Sequence, residues 1–371
     1  MKKHYFLGLA AGKKGAWRQI FTYGTSRDCA DLKVFLQEKY GGEAILTKNG
    51  RSALALALKA NFKPGDGVIV NGFTCYAVYE AVKAAGLKPI WADISRENLN
   101  FSLKDLDVFY SKHSSDGLTK SIRGIIIQNT LGNPVDMVKI EKFAKKHNLK
   151  IIEDLAHCAG VKYPDGREAG TVGAAAILSF GKDKSIDTTS GGALILREPG
   201  PNGIKAPSSA PKLPDNLRAR FYPLFGNICR GLSYVHLGGA LMRLLVRIHW
   251  VEKSADNKLD LNRKISKFEA KLALKQLKNL KKSGEKPLRE FYLVKDRDTA
   301  LKELKKAGYH FAGFWYEKPV SPERYYRKVK FPEEECPVAT EVAAKIINFP
   351  TYYSGQELEP ARKIIKGYLD D

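Results

Sequence analysis

Two short segments hold the residues best suited to chemistry. Ile151-Ile-Glu-Asp154-Leu-Ala-His157 ends an apolar run in an acid, and Ser179-Phe-Gly-Lys182-Asp-Lys184 ends another in a hydroxyl, with lysines close behind. A Gly191-Gly192 pair then opens the next apolar run. A lysine condenses with an aldehyde only while its amine is neutral, and burial or a neighbouring cation favours that form. An acid set against a pyridine nitrogen keeps the ring protonated and electron-poor, while a hydroxyl and free amides hold a phosphate. Together these groups suit pyridoxal phosphate: a lysine to form the Schiff base, Asp154 for the ring nitrogen and Ser179 for the phosphate. Each residue also has a plainer reading. A lysine in a polar loop is ordinarily a surface residue, and an aspartate ending a strand ordinarily caps the next helix.

The elements that must position these groups alternate between residues 44 and 196. Strand-like runs fall at Ala44–Thr47, Val68–Val70, Pro89–Ile94, Gly124–Asn129, Lys150–Leu155, Ala174–Phe180 and Gly192–Leu196. Most are apolar at consecutive positions, as expected of strands covered on both faces. Helical spacing appears between several of them, at Ser52–Ala60, Ala77–Ala85 and Val138–His147. The pattern predicts an α/β fold with a largely parallel sheet and right-handed crossovers. Ligands collect at the carboxyl ends of strands in such sheets, where Asp154 and Ser179 fall.

Residues 198–216 carry five prolines and read as an irregular loop. Residues 220–250 are apolar and basic. At helical spacing, His236, Ala240, Arg243 and Arg247 share a stripe that Val235, Leu241, Leu245 and Ile248 avoid. That segment suits either an amphipathic helix lying on a membrane or partner, or a core or dimer-interface helix with an arginine-bearing wet face. A charged helix is expected from Ser266 to Leu280. The C-terminal part is expected as an α+β unit with helices near Lys302–Ala307, Thr340–Ile347 and Glu357–Tyr368 and a strand at Tyr309–Trp315. The division expected is an N-terminal arm (1–40), a large α/β domain (41–260) and a small domain (261–371).

The 371 residues are 44% hydrophobic and 10% aromatic, which suits a folded protein with a substantial core. The 62 Lys and Arg against 40 Asp and Glu give a net charge of +22, which favours anionic partners. No nucleic-acid-binding motif accompanies it, so none is expected as a partner. Cys29, Cys75, Cys158, Cys229 and Cys336 lack metal or redox spacing and fit a reducing cytoplasm. No metal site is expected. The opening residues read as an arm rather than a leader, because Lys13-Lys14 interrupts a short apolar run. No run approaches the roughly 20 apolar residues that span a bilayer.

From about Tyr23 onward the chain resembles the DegT–DnrJ–StrS family, the pyridoxal phosphate-dependent aminotransferases of nucleotide-linked keto sugars. The resemblance rests on an ordered series: Asn49-Gly-Arg-Ser-Ala-Leu54, Lys63-Pro-Gly-Asp66, Phe73-Thr74, Leu131-Gly-Asn-Pro-Val-Asp136, Glu153-Asp154-Leu-Ala-His157, the lysine segment, Asn262 before Phe268-Glu-Ala270, and Asn348-Phe-Pro350. It implies fold type I, like aspartate aminotransferase, with a mostly parallel seven-stranded sheet and a smaller α+β domain. It assigns Lys184, rather than Lys182, as the Schiff-base lysine and catalytic proton shuttle. Asp154 falls to the ring nitrogen and His157 to the ring oxygen or ring face. The phosphate falls to Gly50 and Arg51, at a helix start that favours anions, together with Ser179. Asn262 would reach the phosphate of a second subunit, making a homodimer with shared sites.

The departures lie at Arg51, Cys75, Ser190 and Lys264, where the family usually has Thr, an aromatic, Glu and Arg, and at Trp315-Tyr316, where it often has a His-Tyr pair. Cysteine cannot stack on a ring, so Tyr76 or Phe73 is expected to take that place. The function expected is transfer of an amino group from an amino acid, glutamate foremost, to a nucleotide-linked keto sugar for polysaccharide or glycan assembly. It is placed in the cytoplasm, with weak membrane contact through 220–250 held open. A cofactor-binding but non-catalytic regulatory protein stands as the alternative.

Overall fold

A computed structural model describes residues 16–113, 117–198, 203–233, 235, 237–252, 258–280, 287–310, 315–353 and 355–370. The first fifteen residues of the expected arm, His236, and Phe311 to Phe314 within the expected strand 309–315 lie outside the described residues.

Eleven strands follow in chain order: β1 (Glu43–Thr47), β2 (Gly67–Asn71), the two-residue β3 (Thr74–Cys75), β4 (Lys88–Ala92), β5 (Ile122–Ile127), β6 (Lys150–Asp154), β7 (Ala175–Ser179), β8 (Gly192–Leu196), β9 (Arg289–Leu293), β10 (Val320–Ser321) and β11 (Ile346–Pro350). Seven of them form the central sheet in the order β1-β8-β7-β6-β5-β2-β4. β8 runs antiparallel to both its neighbours, and the other pairings are parallel. Successive strand residues alternate between two apolar cores. Ile69, Ile125, Ile151, Leu178 and Ile195 enter one, while Val68, Ile126, Ile152, Ile177 and Leu194 enter the other. That alternation is the strand period of two expressed in a sheet with no wet face, and it explains the unbroken apolar runs in the sequence.

The helix Gly50–Asn61 is buried at every position except Lys59. An alanine- and leucine-rich helix without a polar face belongs in a core, and this one packs against β1, β7 and β8. The helix Ser26–Tyr40 sends Leu32, Leu36 and Tyr40 into the first core, beside Ala270, Ala273 and Leu277 of the helix Lys267–Lys278. Residues 26–40 and 267–278 therefore pack with the central sheet, whereas the sequence-based division put them in an arm and in the small domain.

The C-terminal unit is built on the antiparallel pair β9 and β11. Helices Arg297–Lys306 and Gly355–Lys366 close a separate core around Leu304, Phe349 and Ile365. The expected helix 340–347 ends at Lys345, where the chain turns into β11. Of the expected strand 309–315, Tyr309 forms a single β-bridge and His310 lies in a turn. The apolar-basic segment 220–250 is two helices, Leu213–Ser233 and Gly238–Arg247, packed on each other around Cys229 and Leu245.

Candidate active site

Three strand ends and one helix start converge on a single pocket. Because β8 runs against its neighbours, its first residue meets the last residues of β1 and β7: Gly192 pairs with both Thr47 and Ser179. The Gly-Gly pair is what permits this approach. Gly191 has φ +106°, and a Cβ on Gly192 would lie 2.6 Å from the Gly50 amide nitrogen. The helix that begins at Gly50 is capped by Asn49, whose Oδ1 accepts from the Ser52 amide at 2.8 Å. The amides of Gly50 and Arg51 precede the first turn's intrahelical bonds and are suited to an anion. Ser179 lies against them, since a Cβ on Gly50 would come within 3.0 Å of its Oγ.

Asp154 ends β6 and turns one carboxylate oxygen back to the Ala156 amide at 2.9 Å. Burial raises this carboxyl to about 6, against the opposing pull of that amide and of Lys184. Lys184 is half-buried, and loss of solvation around its amine lowers the ammonium below the ordinary lysine range. Its Nζ is 2.9 Å from Nε2 of His157. The other ring nitrogen, Nδ1, accepts from the Leu131 amide at 3.2 Å, which places the imidazole proton on Nε2. Burial, with Lys184 and Arg289 nearby, drives the imidazole well below the usual histidine range. A neutral histidine thus donates to a lysine whose environment also favours the neutral amine. The contact orients the Lys184 amine, and the lowered ammonium favours the form needed for nucleophilic or general-base work. Trp315 stacks against His157, with ring centroids 5.5 Å apart, and fixes the plane of the imidazole.

Lys184, Asp154, His157, Ser179, Gly50 and Arg51 all line this pocket. Tyr76 and Asn262, also expected there, do not. Tyr76 opens the helix Tyr76–Ala84, and its ring stacks on Tyr325 at 4.4 Å. Phe73 is fully buried, with its ring edge-on to Tyr316. Neither replaces the missing aromatic at Cys75, which lines the pocket itself. Asn262 is bonded to Ser208 and Ser209 on the surface. Arg51 is ion-paired with Glu80, so its charge is already matched within the chain.

Of three further lining residues, Tyr316 and Lys182 were noticed in the sequence without a site role, and Thr189 was not noticed at all. Tyr316 sits 3.4 Å from His157 Nε2 through its hydroxyl. Thr189 has φ +79° and a buried hydroxyl without a hydrogen-bond partner. Lys182 is not solvent-facing: it lies 4.2 Å over the Tyr222 ring and donates to the Glu252 carbonyl, and burial brings its ammonium down to about 8. Local spacing does not give Lys182 and Tyr316 these contacts, because Tyr222 and Tyr316 arrive from distant elements.

The donor set fits pyridoxal phosphate. A helix start and a serine hydroxyl suit its phosphate, a buried acid suits its pyridinium nitrogen, and a neutral lysine suits its aldehyde. The buried Thr189 hydroxyl, unpartnered among the described residues, belongs to the same pocket lining. Among the described residues no cluster of side chains is suited to a metal ion.

Residues 30–202 match the DegT/DnrJ/EryC1/StrS aminotransferase family. The chain is 32% identical over 168 residues to a pleiotropic regulatory protein of Geobacillus stearothermophilus, covering 45% of this chain and 42% of that one. It is 33% identical over 165 residues to the GDP-perosamine synthase of Escherichia coli O157:H7, covering 44% and 43%. The matched stretch thus spans less than half the length of these relatives. A DegT DnrJ EryC1 StrS aminotransferase from Brucella abortus superimposes with a TM-score of 0.67 at 19% identity, over 96% of this chain and 98% of that one. The fold is that of the fold type I pyridoxal phosphate enzymes.

Proposed function

From a chain that over residues 30–202 is a DegT/DnrJ/EryC1/StrS-family sequence on a fold type I frame, we propose an aminotransferase that carries an amino group from an amino acid to a nucleotide-linked keto sugar, using pyridoxal phosphate. The observation that carries the reading is the contact of 2.9 Å between Lys184 Nζ and His157 Nε2, in a pocket that also holds Asp154. When bound, the cofactor supplies an aldehyde that takes up amino groups and a ring that stores the electron pair left when a proton departs the adjoining carbon.

The chain's residues divide the remaining work. The Gly50 and Arg51 amides and the Ser179 hydroxyl hold the phosphate, and Asp154 holds a negative charge against the ring nitrogen. His157 orients the Lys184 amine, which would take up and return a proton beside the bound cofactor. Apolar walls around Leu54, Val78 and Ile177 exclude water and strengthen each of these polar contacts. Tyr316 and Trp315 pin the imidazole, so the amine is presented from one side.

A second copy belongs to this reading. Asn262 lies outside its own chain's pocket, as a residue given to a partner's phosphate site must, and its segment runs beside the Gly50 helix through the Asp260 amide on Ser52. The nucleotide-linked acceptor suits a chain of net charge +22. Cytoplasmic placement suits its described cysteines, none of which is paired. Among the described residues no helix is long and apolar enough to cross a membrane.

The test is transamination by purified protein with glutamate and a panel of nucleotide-linked keto sugars. Lys184→Ala is expected to lose at least about 10²-fold, the usual weight of a general base. Retention of full activity would sink the proposal. A protein that binds cofactor but turns over no donor would favour the regulatory alternative.

A further inference from the structure

The helical hairpin Leu213–Ser233 and Gly238–Arg247 has two working faces. The inner face joins the pocket wall: Arg218, Trp250 and Glu252 line it, and Arg218 is held to Glu252 at 2.8 Å. Leu245, half-buried Leu241 and Val246 pack on the first helix. The outer face is different. Leu237, Leu244 and Ile248, at helical spacing, and Val235 on the turn are each more than half exposed. Branched aliphatic side chains in that number on one solvent-facing stripe are not accounted for by packing among the described residues.

Arg243 and Arg247 flank the stripe and are exposed. Neither forms an ion pair among the described residues, whereas Arg218 on the inner face does. Gly238 sets the geometry. Its Cα approaches the end of the first helix so closely that a Cβ would lie 1.9 Å from the Cys229 carbonyl oxygen. The two helices are therefore locked together, and the stripe is a fixed surface rather than a fraying end.

We propose that this outer face docks on an anionic lipid bilayer, with Leu237, Leu244 and Ile248 entering the boundary between headgroups and acyl chains and Arg243 and Arg247 meeting lipid phosphates. Charge decides between this occupant and a second copy of the chain. Two copies meeting through this face would bring the exposed Arg243 and Arg247 guanidinium groups of each together, whereas an anionic surface supplies both an apolar layer and the counter-charge. Docking rests on the hairpin's outer face alone and does not depend on the aminotransferase reading. The shared element nevertheless ties the two, since the docking hairpin also walls the pocket.

The experiment is flotation of the full chain with vesicles of phosphatidylcholine alone and with a quarter phosphatidylglycerol, alongside Leu244→Glu/Ile248→Glu and Arg243→Glu/Arg247→Glu. Wild type is expected to float at least tenfold more with the anionic vesicles, and each double variant to lose that gain while keeping its melting temperature. Sedimentation velocity on the same samples reads association between copies. Absence of flotation, flotation unchanged in the leucine–isoleucine variant, or a change of oligomeric state in place of vesicle binding would each overturn the proposal.

Discussion

Burial raises the Asp154 carboxyl to about 6, so without cofactor the folded protein holds a proton there that the unfolded chain releases near its ordinary value of 3.8. The sign follows from linkage. The folded state binds the extra proton between those two values, and its stability therefore falls as pH rises through that window. Above about pH 6 the full penalty applies, with a ceiling of about 3 kcal/mol from the size of the shift. Asp154→Asn should accordingly raise the melting temperature of cofactor-free protein at pH 7, and the gain should shrink towards pH 4. The same variant should bind pyridoxal phosphate more weakly, because its neutral amide cannot balance the pyridinium. Calorimetry at both pH values, paired with a cofactor titration, checks this; an unchanged melting temperature at pH 7 would contradict it. The wild-type cofactor affinity is likewise expected to decline below about pH 6, as Asp154 takes up its proton.

Among elements, the contact between the Gly50 helix start and Ser179 makes the sharpest demand on sequence. A Cβ at position 50 would lie 2.6 Å from the Ser179 Cβ, a separation that requires movement of the helix start or of β7. Gly50→Ala is therefore expected to weaken cofactor binding at least about tenfold while the protein remains folded, read by titration alongside circular dichroism. The turn between β6 and β7 depends instead on Glu153, which is fully buried. Its carboxylate accepts from the amides of Gly170, Val172 and Gly173, from the Tyr163 hydroxyl and from Arg197. Glu153→Gln leaves Arg197 without its counter-charge and substitutes a donor for an acceptor among five donors, so a loss of about 3–5 kcal/mol is expected in urea unfolding. A loss below 1 kcal/mol would show that the network rearranges.

Element by element, legibility followed the range of the forces involved. The sheet strands could be read because burial on both faces makes each run apolar without interruption, and their ends fell within a few residues of those expected. Asp154, Ser179 and Lys184 could be placed together because strand ends locate them. β9 and β11 could not be read. Arg289 and Glu290 give β9 a polar start that only its partners, Asn348 and Arg362, explain. The fate of Tyr76 was also hidden: whether it turns to the pocket or to Tyr325 depends on an element some 250 residues away in sequence. The hairpin appeared as one amphipathic segment although the Gly238-Gly239 pair marks its break, and the close approach of Gly238 to Cys229 that accompanies the break is a tertiary contact.

At the scale of the whole molecule, the pocket is assembled from both ends of the chain. Tyr316 and Trp315 come from the C-terminal part, and residues of the second core run from Ile45 to Ile346, so the small unit cannot move freely without disturbing His157. The charge of +22 suits an anionic acceptor and an anionic surface at once, and the hairpin carries both part of the pocket wall and the face proposed to dock. The central claim is that Lys184, Asp154 and His157 form a working amino-transfer site. The most direct measurement is the absorption spectrum of purified protein with pyridoxal phosphate, before and after glutamate, for wild type and Lys184→Ala. The account predicts a visible band of lysine-bound cofactor in wild type that fades as glutamate is added, and no such band in the variant. A band equally strong in Lys184→Ala, or no band in wild type, would contradict it.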